Sequence, residues 1–133
     1  MRFLFDVNAL VALGFRRHEF HERVLRWVRS LRRQPTPEML TCSITELGFV
    51  RVLVQTPLYA LEFSEARDLL LGLKRSEIVK MTFIADDHDL SRLPAWVKTA
   101  RQITDGHLAE LAEDHGAMLA TLDRRIPRSF LIP

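Results

Sequence analysis

Apolar residues along this chain fall into two patterns. Short, unbroken apolar runs without polar alternation occur at 2–5, 39–41, 80–84, 117–121 and 130–132, and predict buried strands, the last at a sheet edge. Between them lie longer segments with helical periodicity. Within 19–33, Phe20, Val24, Trp27, Val28 and Leu31 recur at helix spacing, with Glu22, Arg26, Arg29 and Arg33 on the other side. The stretches 8–15, 43–55, 64–74 and 104–115 also read as helices. Ser43 is placed to cap the second of these, which is apolar nearly all round and expected to be largely buried. Leu108, Leu111 and Ala112 point inward in the last, and Gly116 is placed to stop it. The two prolines of QPTPE and Thr56-Pro57 end the segments before them.

Apolar strands separated by helices predict a parallel sheet covered on both faces, a three-layer α/β/α sandwich. In such folds ligands sit beyond the carboxyl ends of the strands. The polar residues at those ends are therefore the candidates for chemistry.

Composition narrows the class. The chain has 133 residues, 47% hydrophobic and 27% charged, with a net charge of +2. That suits one domain over 1–133 with a full core. No uncharged apolar run approaches the ~18 residues of a membrane span. Asp6 interrupts the apolar N-terminus, so a signal peptide is not expected, and the single cysteine, Cys42, forms neither an internal disulfide nor a thiolate zinc site. A reducing cytoplasm is the expected location. Segment 16–33 carries seven arginines against two glutamates, whereas most aspartates lie within 85–123. That asymmetry suits either a metal enzyme acting on a polyanion or a plain solvated helix face.

Four carboxylates occupy equivalent places. Asp6 ends the first strand, Glu46 lies in the first turn of the helix after the second, Asp105 opens a helix, and Asp123 stands just beyond MLAT. Each has an ordinary explanation. Asp6 can cap a helix, Ser43-x-x-Glu46 matches a capping box, Asp105 suits a helix dipole, and Asp123 suits a turn. Together they mean more. Neighbouring strands run ~4.8 Å apart, so carboxylates at adjacent strand ends can converge within about 10 Å. Anions that close repel unless a cation lies among them. An oxygen-only donor set suits Mg²⁺ or Mn²⁺, which acidifies water and clamps a phosphate for in-line attack.

DVNAL at 6–10, TCSITELGFVRVL at 41–53, QITDGHLAELAEDHG at 102–116 and LATLDRRI at 119–126 resemble, in order and spacing, the successive motifs of PIN-domain ribonucleases. They most resemble the small VapC toxins of prokaryotic toxin–antitoxin pairs. HEFHERVLRWV at 18–28 resembles the helix after the first motif. The resemblance implies that Asp6, Glu46, Asp105 and Asp123 form an acidic site for Mg²⁺ or Mn²⁺. Asp6 and Asp105 would be direct ligands, Glu46 would act through water or on the nucleophile, and Asp123 would complete the site, with room for a second ion. Asn8 and Thr121 would orient waters or phosphate oxygens. The implied reaction is metal-assisted hydrolysis of single-stranded or looped RNA, leaving 5′-phosphate and 3′-hydroxyl ends. The implied partners are a VapB-like antitoxin and a second copy of the chain, with apolar helices near 44–73 as the shared surface. Gly106-His107 departs from the small-then-aromatic pair that relatives often carry after the third acid, and places His107 toward the groove.

Other features are read more plainly. HEFHE is not HExxH, because the second histidine comes one residue early, so His18 and His21 are expected on a surface helix. DDHD at 86–89 reads as a solvated helix start capped by Asp86. Cys42 is expected to be a packed thiol and Trp27 a core or dimer residue. Two competing functions stand beside the nuclease. A haloacid-dehalogenase-type phosphohydrolase also begins with an aspartate after strand one, but its DxD is here Asp6-Val7-Asn8. A non-enzymatic binding module would not need acids at all four motif positions.

Overall fold

The structure is a computed structural model covering residues 1–133. Five parallel strands form one sheet: β1 (Arg2–Phe5), β2 (Glu38–Thr41), β3 (Lys80–Phe83), β4 (Met118–Thr121) and β5 (Phe130–Leu131). Their order is β3-β2-β1-β4-β5. Five helices flank them: α1 (Val7–Gly14), α2 (His21–Leu31), α3 (Ser43–Gln55), α4 (Phe63–Arg75) and α5 (Ile103–Asp114).

The side-chain period of two along each strand sorts the core into two layers. Phe3, Phe5, Met39 and Ala120 face the larger layer with residues of α1, α2, α3 and α4. Leu4, Leu40 and Leu119 face the smaller one, with Leu108, Leu111 and Ala112 of α5. The three-layer α/β/α sandwich expected from the apolar runs is therefore the fold. Trp27 is a core residue, edge-on to Phe3 with ring centroids 5.1 Å apart and stacked on Phe130 at 5.3 Å, which pins α2 over β5. Cys42 is a buried thiol.

The strand order fixes where a ligand can sit. From β1 the chain builds outward through β2 and β3 and then returns to the other side for β4 and β5, so the direction of growth reverses between β1 and β4. A crevice opens beyond the carboxyl ends at such a point. Register pairs Phe5 with Ala120, and the backbone N–H of Asp6 extends the ladder by donating to the Ala120 carbonyl at 3.1 Å.

Three local details differ from expectation. Helix α3 is capped by Cys42, not Ser43, and Thr45 Oγ1 rather than Glu46 accepts the Cys42 N–H, at 3.0 Å. The helix is not buried all round, since Leu47 is 62% exposed. Residues 84–89 form neither helix nor strand, and Asp89 rather than Asp86 caps the following 3₁₀ turn, Leu90–Arg92. Gly116 stops the fifth helix as expected, at φ 65°. No helix is long and apolar enough to cross a membrane.

Candidate active site

Asp6 is the first residue after β1 and the N-cap of α1. Its Oδ1 accepts the Ala9 N–H at 2.7 Å, and its Oδ2 accepts the Thr121 hydroxyl at 2.5 Å. The same Thr121 oxygen accepts the Asp123 N–H at 3.0 Å. One buried hydroxyl at the end of β4 thus ties two acidic positions together. Asp105 reaches the crevice from the first turn of α5.

Gly106, next to it, packs directly against the loop that precedes α5. A Cβ there would lie 2.2 Å from Val97 Cγ2 and 3.4 Å from Pro94. The helix propensity lost to glycine is offset by the close approach that it permits.

Asp6, Asp105 and Asp123 line one cavity of about 650 Å³, together with Asn8, Thr104, Arg124 and Arg125. Electrostatics records their proximity. Burial, with a smaller part from Asp105 and Asp123, pushes the Asp6 carboxyl from 3.8 up to about 6, against the hydrogen bonds from Thr121 and Ala9. Burial first, then Asp123, also raises the carboxyl of Asp105. Asp123 moves the opposite way, because Arg125 grips it with Nε on Oδ1 and Nη2 on Oδ2, both at 2.9 Å.

Glu46 does not line this cavity. Its Oε2 accepts the Thr41 hydroxyl at 2.5 Å and lies 2.8 Å from Lys74 Nζ, which also donates to Oε1 at 3.0 Å. Of the four acids singled out in the sequence, three thus line one cavity, and Glu46 lies outside that lining, held by a cation from α4. Thr121 is fully buried, and its hydroxyl bonds Asp6 and Asp123. His107 does not face the cavity but bonds Asp86 and meets His88 edge-on. Asn8 does line it.

None of the seven arginines of 16–33 lines this cavity; the cavity's arginines are 124 and 125. A second group, Asp87, His88 and Asp114, brings its donor atoms within 4.8 Å of one another. It lies outside the acidic cavity, and Asp114 is already shared between His88 at 3.1 Å and Arg92 at 3.5 Å.

The residues around the cavity fit a hard divalent cation. The donors are carboxylates without His or Cys, and the Asp6 and Asp105 carboxyls are raised by burial first and by neighbouring aspartates second.

A three-layer parallel fold with aspartates at the β1/β4 crevice defines a class, and the PIN domain family model matches residues 3–129. The chain belongs to the PIN-domain family. Within it the chain belongs with the VapC-type ribonucleases. It is 38% identical over 124 residues to Ribonuclease VapC38 of Mycobacterium tuberculosis, an alignment covering 90% of this chain and 84% of that one. It is 33% identical over 132 residues to Ribonuclease VapC44 of the same species, covering 95% and 89%. In structure it is similar to VapBC2 from Rickettsia felis bound to a DNA fragment from its promoter, with a TM-score of 0.64 and 13% identity, covering 98% of this chain and 97% of that one.

Proposed function

We propose that this chain is a divalent-metal-dependent endoribonuclease, the toxin of a toxin–antitoxin pair, acting in the cytoplasm as a single catalytic domain. The observation that carries the chemistry is the gathering of Asp6, Asp105 and Asp123 around one cavity at the β1/β4 crevice. These three would hold Mg²⁺ or Mn²⁺. When bound, such an ion supplies Lewis acidity toward a phosphodiester and lowers the pKa of water.

The chain's own residues do the rest. Asp6 is fixed by two hydrogen bonds, so its carboxylate needs little reorganisation to serve as a ligand. Asp105 is half-buried on the helix that meets the crevice from the opposite layer. Arg124 and Arg125 at the mouth offer guanidinium groups to the phosphates on either side of the cleaved bond. Glu46, paired with Lys74 outside the cavity lining, would act through water and not as a direct ligand.

The partners proposed are RNA, a VapB-like antitoxin and a second copy of the chain. The α3–α4 face supports a protein partner. Leu47, Val50, Val54, Phe63 and Leu71 line a shallow groove there of about 500 Å³, and Leu47 and Phe63 are 62% and 61% exposed.

The test is cleavage of a structured RNA with Mg²⁺ or Mn²⁺, with EDTA as control and Asp6→Asn as the comparison. The reading predicts metal-dependent products with 5′-phosphate and 3′-hydroxyl ends, at least a hundredfold slower in the variant. Equal rates in the two proteins, or 2′,3′-cyclic phosphate ends, would contradict it. Turnover of a small phosphate ester with no action on RNA would favour a phosphohydrolase.

A further inference from the structure

His18 lies on the turn between α1 and α2 and is buried, its ring packed near Phe20 and Tyr59 at centroid distances of 5.9 and 6.3 Å. His21 is buried with it and bonds the Ala12 carbonyl at 2.7 Å, fastening α2 to α1. The two histidines of HEFHE are therefore interior groups, contrary to the surface helix expected from the sequence.

The protonation of His18 follows from its partners. Nδ1 accepts the backbone N–H of Phe20 at 3.0 Å. A ring nitrogen that accepts carries no proton, so the neutral ring bears its proton on Nε2. Nε2 lies 3.1 Å from the side-chain oxygen of Asn8. A donor at Nε2 requires an acceptor opposite, so the orientation of the Asn8 amide is dictated by the pair. The ring cannot flip without losing the Phe20 bond. Burial lowers the pKa of His18, which favours the neutral ring.

The consequence lies across the planar amide. With Oδ1 turned to His18, the Nδ2 group of Asn8 points away from it and carries two unspent donors. Asn8 lines the acidic cavity two residues beyond Asp6. A cationic donor there would pair with Asp6 or Asp105 and oppose a divalent ion. A neutral amide does not, yet it can bond a phosphate oxygen. An unrestrained amide would present its oxygen to the phosphate as readily as its nitrogen.

We propose that His18 is a positioning residue that locks the Asn8 amide with its nitrogen toward the cavity, where it donates to a non-bridging phosphate oxygen of the RNA backbone. This rests on the nuclease reading and deepens it. His18 touches neither substrate nor the aspartates; its effect passes through Asn8.

The test measures binding of a fluorescein-labelled single-stranded RNA by anisotropy, with Ca²⁺ replacing Mg²⁺, and cleavage in Mg²⁺ in parallel. His18→Phe keeps the ring packing and removes the donor. Asn8→Ala removes the amide, and Asn8→Asp keeps its shape but puts an oxygen where Nδ2 stood. His18→Phe and Asn8→Ala are each expected to weaken binding about tenfold, the worth of one hydrogen bond to a charged group. The double variant is expected to be no weaker than Asn8→Ala alone, since His18 acts only through Asn8. Asn8→Asp is expected to be weaker still, and His18→Gln, which retains a donor, to recover part of the loss. Mn²⁺ affinity by calorimetry is expected to be unchanged in His18→Phe.

Additive losses in the double variant, or RNA binding by Asn8→Asp equal to wild type, overturn the inference while leaving the nuclease reading intact. The second of these does not depend on the folding of any His18 variant. A wild-type protein that neither binds nor cleaves RNA overturns both.

Discussion

The hydroxyl of Thr121 donates to the carboxylate of Asp6 across the β1/β4 boundary, 115 residues away in the chain, at 2.5 Å. Because the same oxygen accepts the Asp123 N–H, the end of β4 sets the geometry of two acids at once. Thr121→Val keeps the shape and removes both bonds. It is expected to cost about 1–3 kcal/mol, from a buried carboxylate left short of a donor and an amide left short of an acceptor. It is also expected to lower RNA cleavage with little change in fold. Chemical denaturation and a cleavage time course check this.

Asp6 makes the metal-free protein sensitive to pH. Its carboxyl titrates at about 6 in the fold against 3.8 ordinarily, so the folded state holds the proton more tightly than the unfolded chain. The contribution to stability is complete below pH 3.8 and is lost as pH rises through 6. The loss is on the order of 3 kcal/mol for a shift of about two units. In EDTA, Asp6→Asn is therefore expected to be more stable than wild type at pH 8, with the advantage vanishing near pH 4. Melting curves at the two pH values decide it, and a variant that is no more stable at pH 8 contradicts the assignment.

Much of this site was legible in the chain, for a physical reason. A parallel sheet covered on both faces writes its strands as continuous apolar runs, and polar residues must appear where those runs end. Asp6 and Asp123 stand out in that way, whereas Asp105 opens a helix and is marked by the motif around it. The pairings of Glu46 with Lys74 and of Asn8 with His18 were not legible. They depend on how α4 and the α1–α2 turn fold back, which periodicity does not encode. His18 was also hidden by a helix expected from residue 19, whereas α2 starts at His21. Arg125 lay in plain view beside Asp123, but its fork geometry belongs to the turn.

Arg125 occupies both oxygens of Asp123, so a divalent ion recruits that carboxylate only by displacing it. Arg125→Ala is expected to tighten Mn²⁺ binding severalfold and to weaken RNA binding, lowering the salt dependence of RNA affinity by about one phosphate contact. Calorimetry with the metal alone and anisotropy across a salt series separate the two effects.

Glu46 and Lys74 form a part-buried pair outside the acidic cavity. Glu46→Gln is expected to slow cleavage while leaving Mn²⁺ affinity close to that of wild type, because Glu46 bonds Thr41 and Lys74 and none of the three cavity acids. A loss of metal binding as large as that of Asp105→Asn would place Glu46 among the direct ligands.

Gly106→Ala drives a methyl into Val97, 2.2 Å from its Cγ2. The expected cost is about 1–3 kcal/mol of stability, with a further loss of activity as α5 carries Asp105 outward. Val97→Ala in the same chain is expected to restore part of both. Denaturation midpoints of the single and double variants check this.

The central claim is that Asp6, Asp105 and Asp123 together hold a divalent cation, and calorimetric titration of Mn²⁺ into the metal-free protein tests it most directly. Wild type is predicted to bind saturably and, near pH 6, with release of protons from Asp6, while Asp6→Asn and Asp105→Asn bind at least tenfold more weakly. Saturable binding of equal strength in wild type and both variants would contradict it.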